Sequence, residues 1–148
     1  MKYTVRTVND WTKPYDYMAG DMRPITERQT DETSTEDAEL AIRLVKDWLD
    51  APVKELTDED VHRDFDVNRA EPVKQKFVDA IKAYYNYRLR LFWQIEKDLE
   101  REISSGRKQF ILKYDIPYEM NHFETEEDGG WAASEKQNEA YLEIEAET

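Results

Sequence analysis

The sequence predicts an α+β fold, with one long central amphipathic helix and one or two shorter helices packed on a small, mostly antiparallel sheet. Three observations lead to this class: a stretch of about 34 residues without a helix breaker, a shorter segment with helical spacing before it, and strand-like segments near both ends of the chain. The 148 residues fit a single domain, and we find no internal repeat and no linker that would separate two cores.

The N-terminal part is predicted to contain a strand and then a loop. Residues 2–8 are rich in β-branched and aromatic side chains, which favours a strand. Residues 9–32 show no helical or strand period, so we predict an irregular aromatic loop that contains Trp11, Tyr15 and Tyr17. Tyrosine and tryptophan are frequent interface anchors because they bury large rigid surfaces and still form hydrogen bonds. These three residues are therefore candidate partner-binding residues, with burial against the long helix as an equal alternative.

Two helices are predicted before the longest one. Residues 33–35, two threonines and a serine, offer N-caps for a helix whose apolar side chains recur at helical spacing to about Asp50. Pro52 ends that helix, and Thr57 caps a short acidic helix that runs to about Arg63.

The longest helix is predicted between Pro72, which suits a first-turn position, and Gly106, which suits the residue after a helix C-terminus. Its apolar side chains share one stripe, and charged side chains lie opposite. Near the middle the apolar surface widens almost around the helix, so this section is covered either by other elements or by a second copy. The residues that widen it are Tyr85, Tyr87, Leu89 and Trp93.

The C-terminal part is predicted to return to strand structure. Residues 109–116 alternate apolar and polar side chains, and a second strand of a hairpin is predicted at 118–123. Residues 124–138 are predicted to be an acidic, mobile segment. Its candidate partner-binding carboxylates are Glu124, Glu126, Glu127 and Asp128. Residues 141–146 alternate again, which suits a last strand near the first.

The chain is strongly acidic, with 34 acidic and 21 basic residues, a formal net charge of −13 and a pI near 4.6. This charge argues against a surface that binds nucleic acid or an anionic membrane, and it favours basic partners. The charge is uneven: residues 31–50 carry −5, residues 51–71 carry −4 and residues 110–148 carry −9, whereas residues 72–109 carry +4. The long helix is thus a mildly basic element between acidic regions.

The composition disfavours several classes of chemistry. The chain has no cysteine, which excludes disulfides, thiolate metal sites and thiol catalysis. It lacks phosphate-binding glycine loops and the nucleophile motif of hydrolases. No apolar run is long enough for a membrane span, and the N-terminus lacks the pattern of a signal peptide. We therefore expect a non-catalytic protein of the cytoplasm without a cofactor.

An acidic cluster lies around the short helix, and it supplies the candidate partner-binding residues Asp58, Glu59, Asp60, Asp64 and Asp66. Asp64, Asp66 and Asn68 have the spacing of the first three ligands of an EF-hand calcium loop. However, Arg69 stands where that loop needs glycine, and Gln75 stands where it needs a bidentate glutamate. A solvated acidic helix start is therefore favoured over a calcium site, and no bound metal is expected.

Three further polar residues have a structural and a functional interpretation. His62 and His122 lie near carboxylates in separate elements, and no metal or acid–base motif includes them, so a structural or solvated role is favoured. Arg88 lies inside the apolar stripe of the long helix, where a charge needs a partner. A structural ion pair stacked on tyrosine is favoured over an arginine that recognises a ligand.

The composition favours an acidic interaction protein. A rigid array of carboxylates enters the same positive potential that attracts DNA or RNA, so we predict an inhibitor that binds a basic nucleic-acid-handling protein, in the narrow form by nucleic-acid mimicry. Some anti-restriction and anti-CRISPR proteins of phages work in this way, which is an analogy of composition because no family motif is present. The alternatives are an immunity protein or antitoxin, and a homo-oligomeric assembly protein that pairs through the long helix. A surface charged for solubility explains the acidity equally well.

Overall fold

The computed structural model describes residues 1–13, 25–116 and 137–148. In chain order its elements are β1 (Lys2–Lys13), β2 (Ile25–Thr35), α1 (Ala38–Leu49), α2 (Asp58–Phe65), α3 (Gln75–Ser104), β3 (Gln109–Ile116) and β4 (Gln137–Glu147). The strands form a four-stranded antiparallel sheet, and helices pack on it. The predicted α+β class with one long helix is therefore confirmed.

The sheet has the strand order β2-β1-β4-β3, and every neighbouring pair is antiparallel. The strand β4 lies between β1 and β3, with Ile144 opposite both Val5 and Leu112. The prediction of a last strand near the first is thus confirmed. Because side chains alternate along a strand, the odd-numbered residues of β1 and the even-numbered residues of β3 and β4 share one face of the sheet.

The main core lies between that face of the sheet and the helices α1 and α3. Its sheet side includes Ile144, and its helix side includes Val45 and Leu49 of α1 and Ile95 and Leu99 of α3. All five side chains are buried almost completely. Full burial of a side chain of this size contributes about 1.5–3 kcal/mol, so this cluster is the main apolar contribution to folding.

A second, smaller cluster covers the other half of α3. This helix has 30 residues and is about 45 Å long at 1.5 Å per residue, and its contacts with the main core lie in its C-terminal half. In its N-terminal half, Phe77 and Ile81 pack with Val61 of α2 and with Val73. Two clusters along one helix explain how a helix longer than a compact core is still buried on one side.

The segment between α1 and α2 is held against the middle of α3 by polar contacts. Asn86 Oδ1 accepts the backbone N–H of Leu56 at 2.7 Å, and Asn86 Nδ2 donates to the Leu56 carbonyl at 3.2 Å. Arg90 Nε donates to Glu55 at 2.9 Å. α1 itself ends at a C-cap, Asp50, in the left-handed conformation with a φ of 51°.

The start of α1 differs from the prediction, which placed its N-cap at residues 33–35. The N-cap is Asp37, whose side chain accepts the backbone N–H of Glu39 at 2.9 Å. Residues 33–35 instead end β2, where they pair with residues 3–5 of β1. The prediction was wrong because threonine suits both an N-cap and a strand, and pairing with β1 decides between them.

The predicted irregular loop over residues 9–32 was wrong in two parts. β1 continues to Lys13, and residues 25–32 belong to β2. Residues 14–24 lie outside the described residues. β2 is an edge strand, and the side chains of its residues 27–34 are all exposed. A strand without a buried face has no apolar alternation, so its sequence gives no period to recognise.

The predicted first-turn position of Pro72 was also wrong, because α3 begins three residues later at Gln75. The N-cap residue Lys74 is extended. Before it, Val73 is buried in the smaller cluster, and its backbone N–H donates to Asp66 Oδ1 at 2.9 Å. These tertiary contacts delay the start of the helix. At the other end, Gly106 follows the C-cap residue with a φ of 74°, as predicted for the residue after a helix C-terminus.

The C-terminal predictions are tested only in part. Residues 109–116 form β3 as predicted. β4 begins at Gln137, so the end of the segment 124–138, predicted to be mobile, belongs to a strand. Residues 124–136 and the strand predicted at 118–123 lie outside the described residues. Within the described ranges, no helix combines the length and the apolar character needed to cross a membrane.

Candidate interaction surfaces

The acidic cluster predicted around α2 mostly holds that helix in place. Thr57 and Asp60 form a capping box, in which Asp60 accepts the Thr57 backbone N–H at 2.9 Å and Thr57 Oγ1 accepts the Asp60 backbone N–H at 3.3 Å. The hydrogen bonds from Thr57 lower the pKa of the buried Asp60. Asp58 accepts from Lys82 Nζ at 2.6 Å and from Gln75 at 3.1 Å, and the bond from Lys82 is the main reason that its pKa is lowered.

Asp66 has a similar role at the other end of α2. Its Oδ1 accepts the backbone N–H of Val73, and its Oδ2 lies 2.9 Å from Nδ1 of His62. The bond from Val73 is the main reason that the pKa of Asp66 is lowered, and the bond with His62 adds to it. Asp66 thus fixes the turn between α2 and α3, and His62 has the structural role expected for it. His122 lies outside the described residues.

The remaining carboxylates of this cluster do not form a metal site. Glu59 is exposed, and Asp64 accepts from the exposed Arg63 at 3.2 Å. In the part of the chain that the structure describes, no group of three or more His, Cys, Asp or Glu residues is arranged to hold a metal ion. Of the five predicted partner-binding carboxylates around α2, only Glu59 and Asp64 are therefore not engaged in capping α2 or in joining it to α3.

The aromatic and C-terminal candidates are described only in part. The backbone of Trp11 lies in β1, opposite Glu27 and Asn138, but its side chain is not among the described ones. The other candidates lie outside the described residues and stay predictions: Tyr15, Tyr17, Glu124, Glu126, Glu127 and Asp128.

Arg88 is buried in the middle of α3, with 5% of its surface exposed. Its Nη1 donates at 3.0 Å to the carbonyl of Leu49, the last residue of α1, and its guanidinium lies 4.4 Å from the ring centre of Tyr84. A cation at a helix C-terminus is stabilised by the helix dipole. The stacking on tyrosine is as predicted, but the partner found for Arg88 is a backbone carbonyl rather than a carboxylate. The role of Arg88 is therefore to join α1 to α3.

The sheet face opposite the main core carries ion pairs centred on Arg6. Its Nε donates to Glu32 at 2.9 Å, its Nη1 donates to Glu143 at 2.6 Å, and its Nη2 lies 3.5 Å from Glu145. The hydrogen bonds to Glu32 and Glu143 raise the pKa of the Arg6 guanidinium. Three carboxylates of this face are therefore partly neutralised within the fold.

In contrast, β2 and the corner after it carry carboxylates that have no counter-ion among the residues that the structure describes. Glu27, Asp31 and Glu36 are exposed, and no described residue forms an ion pair or hydrogen bond with their carboxylates. Glu27 and Asp31 lie on the same face of β2, about 13 Å apart along a strand that rises about 3.3 Å per residue. We name these three residues the acidic edge. The sequence missed Glu27 and Asp31 as candidates because they fell in the predicted loop, and the net charge of residues 31–50 was the only signal for Asp31 and Glu36.

No protein-family model matches this chain, and neither a curated protein nor a solved structure shows significant similarity to it.

Proposed function

We propose that this protein is a non-catalytic interaction protein that binds and inhibits a basic, nucleic-acid-handling protein through the acidic edge. The observation that supports this most directly is the contrast in how carboxylates are used. Asp58, Asp60 and Asp66 are bonded within the fold, whereas the carboxylates of the acidic edge have no described counter-ion. A partner's lysine or arginine would therefore bind them without breaking an internal ion pair.

The net charge of −13 adds a long-range contribution to this contact. It attracts a basic partner and speeds association, and added salt screens it over about 10 Å at 0.1 M. In the narrow form of the proposal the carboxylates occupy the partner's nucleic-acid site, as in anti-restriction or anti-CRISPR inhibition. The cytoplasm, the location that the sequence predicts, is part of this proposal.

A homo-oligomeric assembly protein is the second candidate, and two aromatic side chains of α3 favour it. Tyr87 and Trp93 are 46% and 42% exposed, although Leu89 between them is buried. Exposed aromatic residues on a long helix suit a contact with a second copy. An immunity protein or antitoxin would use the acidic edge in the same way and would differ only in its partner, a basic toxin.

The proposal is tested by using the immobilised protein to capture binding partners from a nuclease-treated extract of the organism that encodes it. Retained proteins are eluted in steps of increasing salt and identified by mass spectrometry, and their affinity is then measured with purified components. The variant Glu27→Gln/Asp31→Asn/Glu36→Gln removes the acidic edge. A matched control removes three other exposed carboxylates for which no described residue is a partner: Asp47→Asn, Glu71→Gln and Asp115→Asn.

We expect a basic nucleic-acid-binding protein that elutes at moderate salt and is displaced by its own DNA or RNA. The acidic-edge variant should bind it about tenfold more weakly at 0.1 M salt, because three exposed ion pairs are lost, and the control should change affinity at most twofold. Equal affinities of the two variants would overturn the role of the acidic edge. Recovery of this chain alone, held through high salt, would replace the proposal with the assembly candidate.

A further inference from the structure

A groove lies between the first turn of α1 and the last turns of α3. The two helices are antiparallel here, since Leu49 at the end of α1 contacts Arg88 while the start of α1 lies beside the end of α3. The groove has a volume of about 310 Å³. Its floor and wall are apolar and come from Ile42, Leu99 and Ile103.

One end of the groove is lined by two small side chains, Ala38 of α1 and Ser104 of α3. Ala38 lines the groove at the first turn of α1, and no larger side chain fills the space between it and α3. Ile103 remains 40% exposed at this position, although Leu99, one turn earlier, is buried in the main core. An isoleucine left this accessible beside an open volume gains from an apolar group placed against it.

Carboxylates surround this apolar surface. Glu39, Glu96 and Glu100 line the groove, and none of them has an ion-pair or hydrogen-bond partner among the described residues. Neighbouring acidic residues of α3 are paired instead, Asp98 with Arg101 at 3.3 Å and Glu102 with Arg107 at 3.1 Å. The unpaired carboxylates of this end of α3 therefore gather at the rim of the groove. We use the name rimmed groove for the surface formed by six of its lining residues: 39, 42, 96, 99, 100 and 103.

The two basic side chains of α1, Arg43 and Lys46, do not line the groove, and among the described residues neither forms an ion pair with the rim carboxylates. Lys46 Nζ lies 6.0 Å from the ring centre of Phe92, and Lys46 is not among the residues that line the groove. An apolar floor with a uniformly negative rim is complementary to an apolar side chain flanked by cations. It also disfavours a second copy of the chain, because a symmetric contact would bring six carboxylates together.

We propose that the rimmed groove binds a basic segment of the partner protein, with one aliphatic or aromatic side chain inserted and flanking lysine or arginine side chains paired with Glu39, Glu96 and Glu100. The volume is at the lower end of the range for binding pockets, about 300–1,000 Å³, which fits one large side chain rather than a whole helix. This inference rests on the proposed function, since it names the part of the partner that is recognised, but it uses a surface separate from the acidic edge.

The test uses the full chain and a defined probe, the peptide acetyl-Lys-Lys-Leu-Lys-Lys-amide. Methyl NMR follows the signals of Ile42 and Ile103 in the groove, with Ile111, exposed on β3, as an internal reference. A peptide with serine in place of leucine tests the apolar contact, and one with glutamate in place of every lysine tests the rim. We expect saturable shifts at Ile42 and Ile103 with the leucine peptide, weaker ones with the serine peptide and none with the acidic peptide.

Two variants distinguish the role of the rim carboxylates from the role of the open volume of the groove. Glu39→Gln/Glu96→Gln/Glu100→Gln should raise the Kd of the leucine peptide about tenfold at 0.1 M salt. Ala38→Met fills the groove without changing charge and should weaken binding by a similar factor, with its unchanged Ile111 signal showing that the sheet is intact. Equal binding of the leucine and serine peptides, or shifts as large at Ile111 as at Ile103, would overturn the inference.

The two proposals fail in different ways. The purified partner is measured against the acidic-edge variant and against the rim variant in parallel. If only the acidic-edge variant loses affinity, the proposed function stands and the rimmed groove does not bind the partner. If the rim variant and Ala38→Met both lose affinity, the groove is part of the interface.

Discussion

Arg88 is a single charged residue that connects two helices, α1 and α3. It is buried, its Nη1 is bonded to the carbonyl that ends α1, and its Nε has no hydrogen-bond partner among the described residues. A buried charge without full compensation is costly, so the contribution of Arg88 comes from its packed stem, its stacking on Tyr84 and one charge-assisted hydrogen bond. These favourable contributions oppose the cost of burying the charge, and substitutions of Arg88 separate the two.

We expect Arg88→Ala to lower the free energy of unfolding by about 2–4 kcal/mol, because it leaves a cavity and an unbonded carbonyl. Arg88→Met keeps most of the volume and removes the desolvated charge, so it should cost only about 1 kcal/mol. Chemical denaturation of the two variants and the parent checks this. If Arg88→Met were as destabilising as Arg88→Ala, the charge at the end of α1 would matter more than the packing.

Individual residues of the candidate site show what the sequence could and could not reveal. The need of Arg88 for a partner follows from its place in an apolar stripe, but its partner is a backbone carbonyl whose position depends on how α1 docks. The threonine cap of α2 was predictable, and Asp60 lies at the spacing of a capping box. The bonds from Lys82 to Asp58 and from Val73 to Asp66 join separate elements, so no local spacing indicates them.

At the scale of elements, α3 has two halves with different partners. Its C-terminal half is part of the main core with the sheet and α1, whereas its N-terminal half packs in the smaller cluster with α2 and Val73. α2 has eight residues and too few contacts to be stable by itself. The half of the molecule built from α2 and the start of α3 should therefore open more easily than the sheet.

Truncation of Val61, which is fully buried between α2 and α3, tests this independence. Val61→Ala should remove about 2 kcal/mol from the stability of the smaller cluster and reduce the protection of α2 amides against hydrogen exchange. The amides of β1 and β4 should keep their protection. The matched substitution Val45→Ala in the main core should instead reduce protection in the sheet, and equal loss everywhere after Val61→Ala would mean that the two clusters unfold as one.

The elements that the sequence predicted well are those with a buried face. α1, α3, β3 and the second half of β4 all have apolar side chains at the period of their structure, and the structure contains each of them. β2 was missed because both of its faces are exposed, so pairing with β1 rather than burial defines it. The start of α3 was misplaced for a related reason, since the burial of Val73 and its bond to Asp66 are tertiary effects.

At the scale of the whole molecule, the net charge of −13 opposes compaction. Ion pairs such as those of Arg6 act in the opposite direction, but the three carboxylates of the acidic edge and the three of the rimmed groove have no described counter-ion. Repulsion among unpaired carboxylates reaches further than the short contacts of a bonded pair, and salt screens it more strongly.

Stability should therefore rise when sodium chloride is raised from about 0.01 to about 0.2 M. A gain of 1 kcal/mol corresponds to an increase of about 2–4 °C in Tm for a chain of this size, which a circular dichroism melt detects. Choline chloride at the same ionic strength should give the same increase, which shows that screening and not a bound cation is responsible. A fall in Tm would mean that the ion pairs, such as those of Arg6 with Glu32 and Glu143, outweigh the repulsion.

The central place of β4 has a consequence for how the protein is made. β1 and β3 are synthesised before β4, yet neither pairs with the other, and only residues 137–147 join them. During translation the β1–β2 hairpin and the helices therefore leave the ribosome while one edge of β1 is still unpaired. An unpaired strand edge is a template for pairing with other chains, so the nascent protein passes through a period of exposure that ends only when β4 arrives.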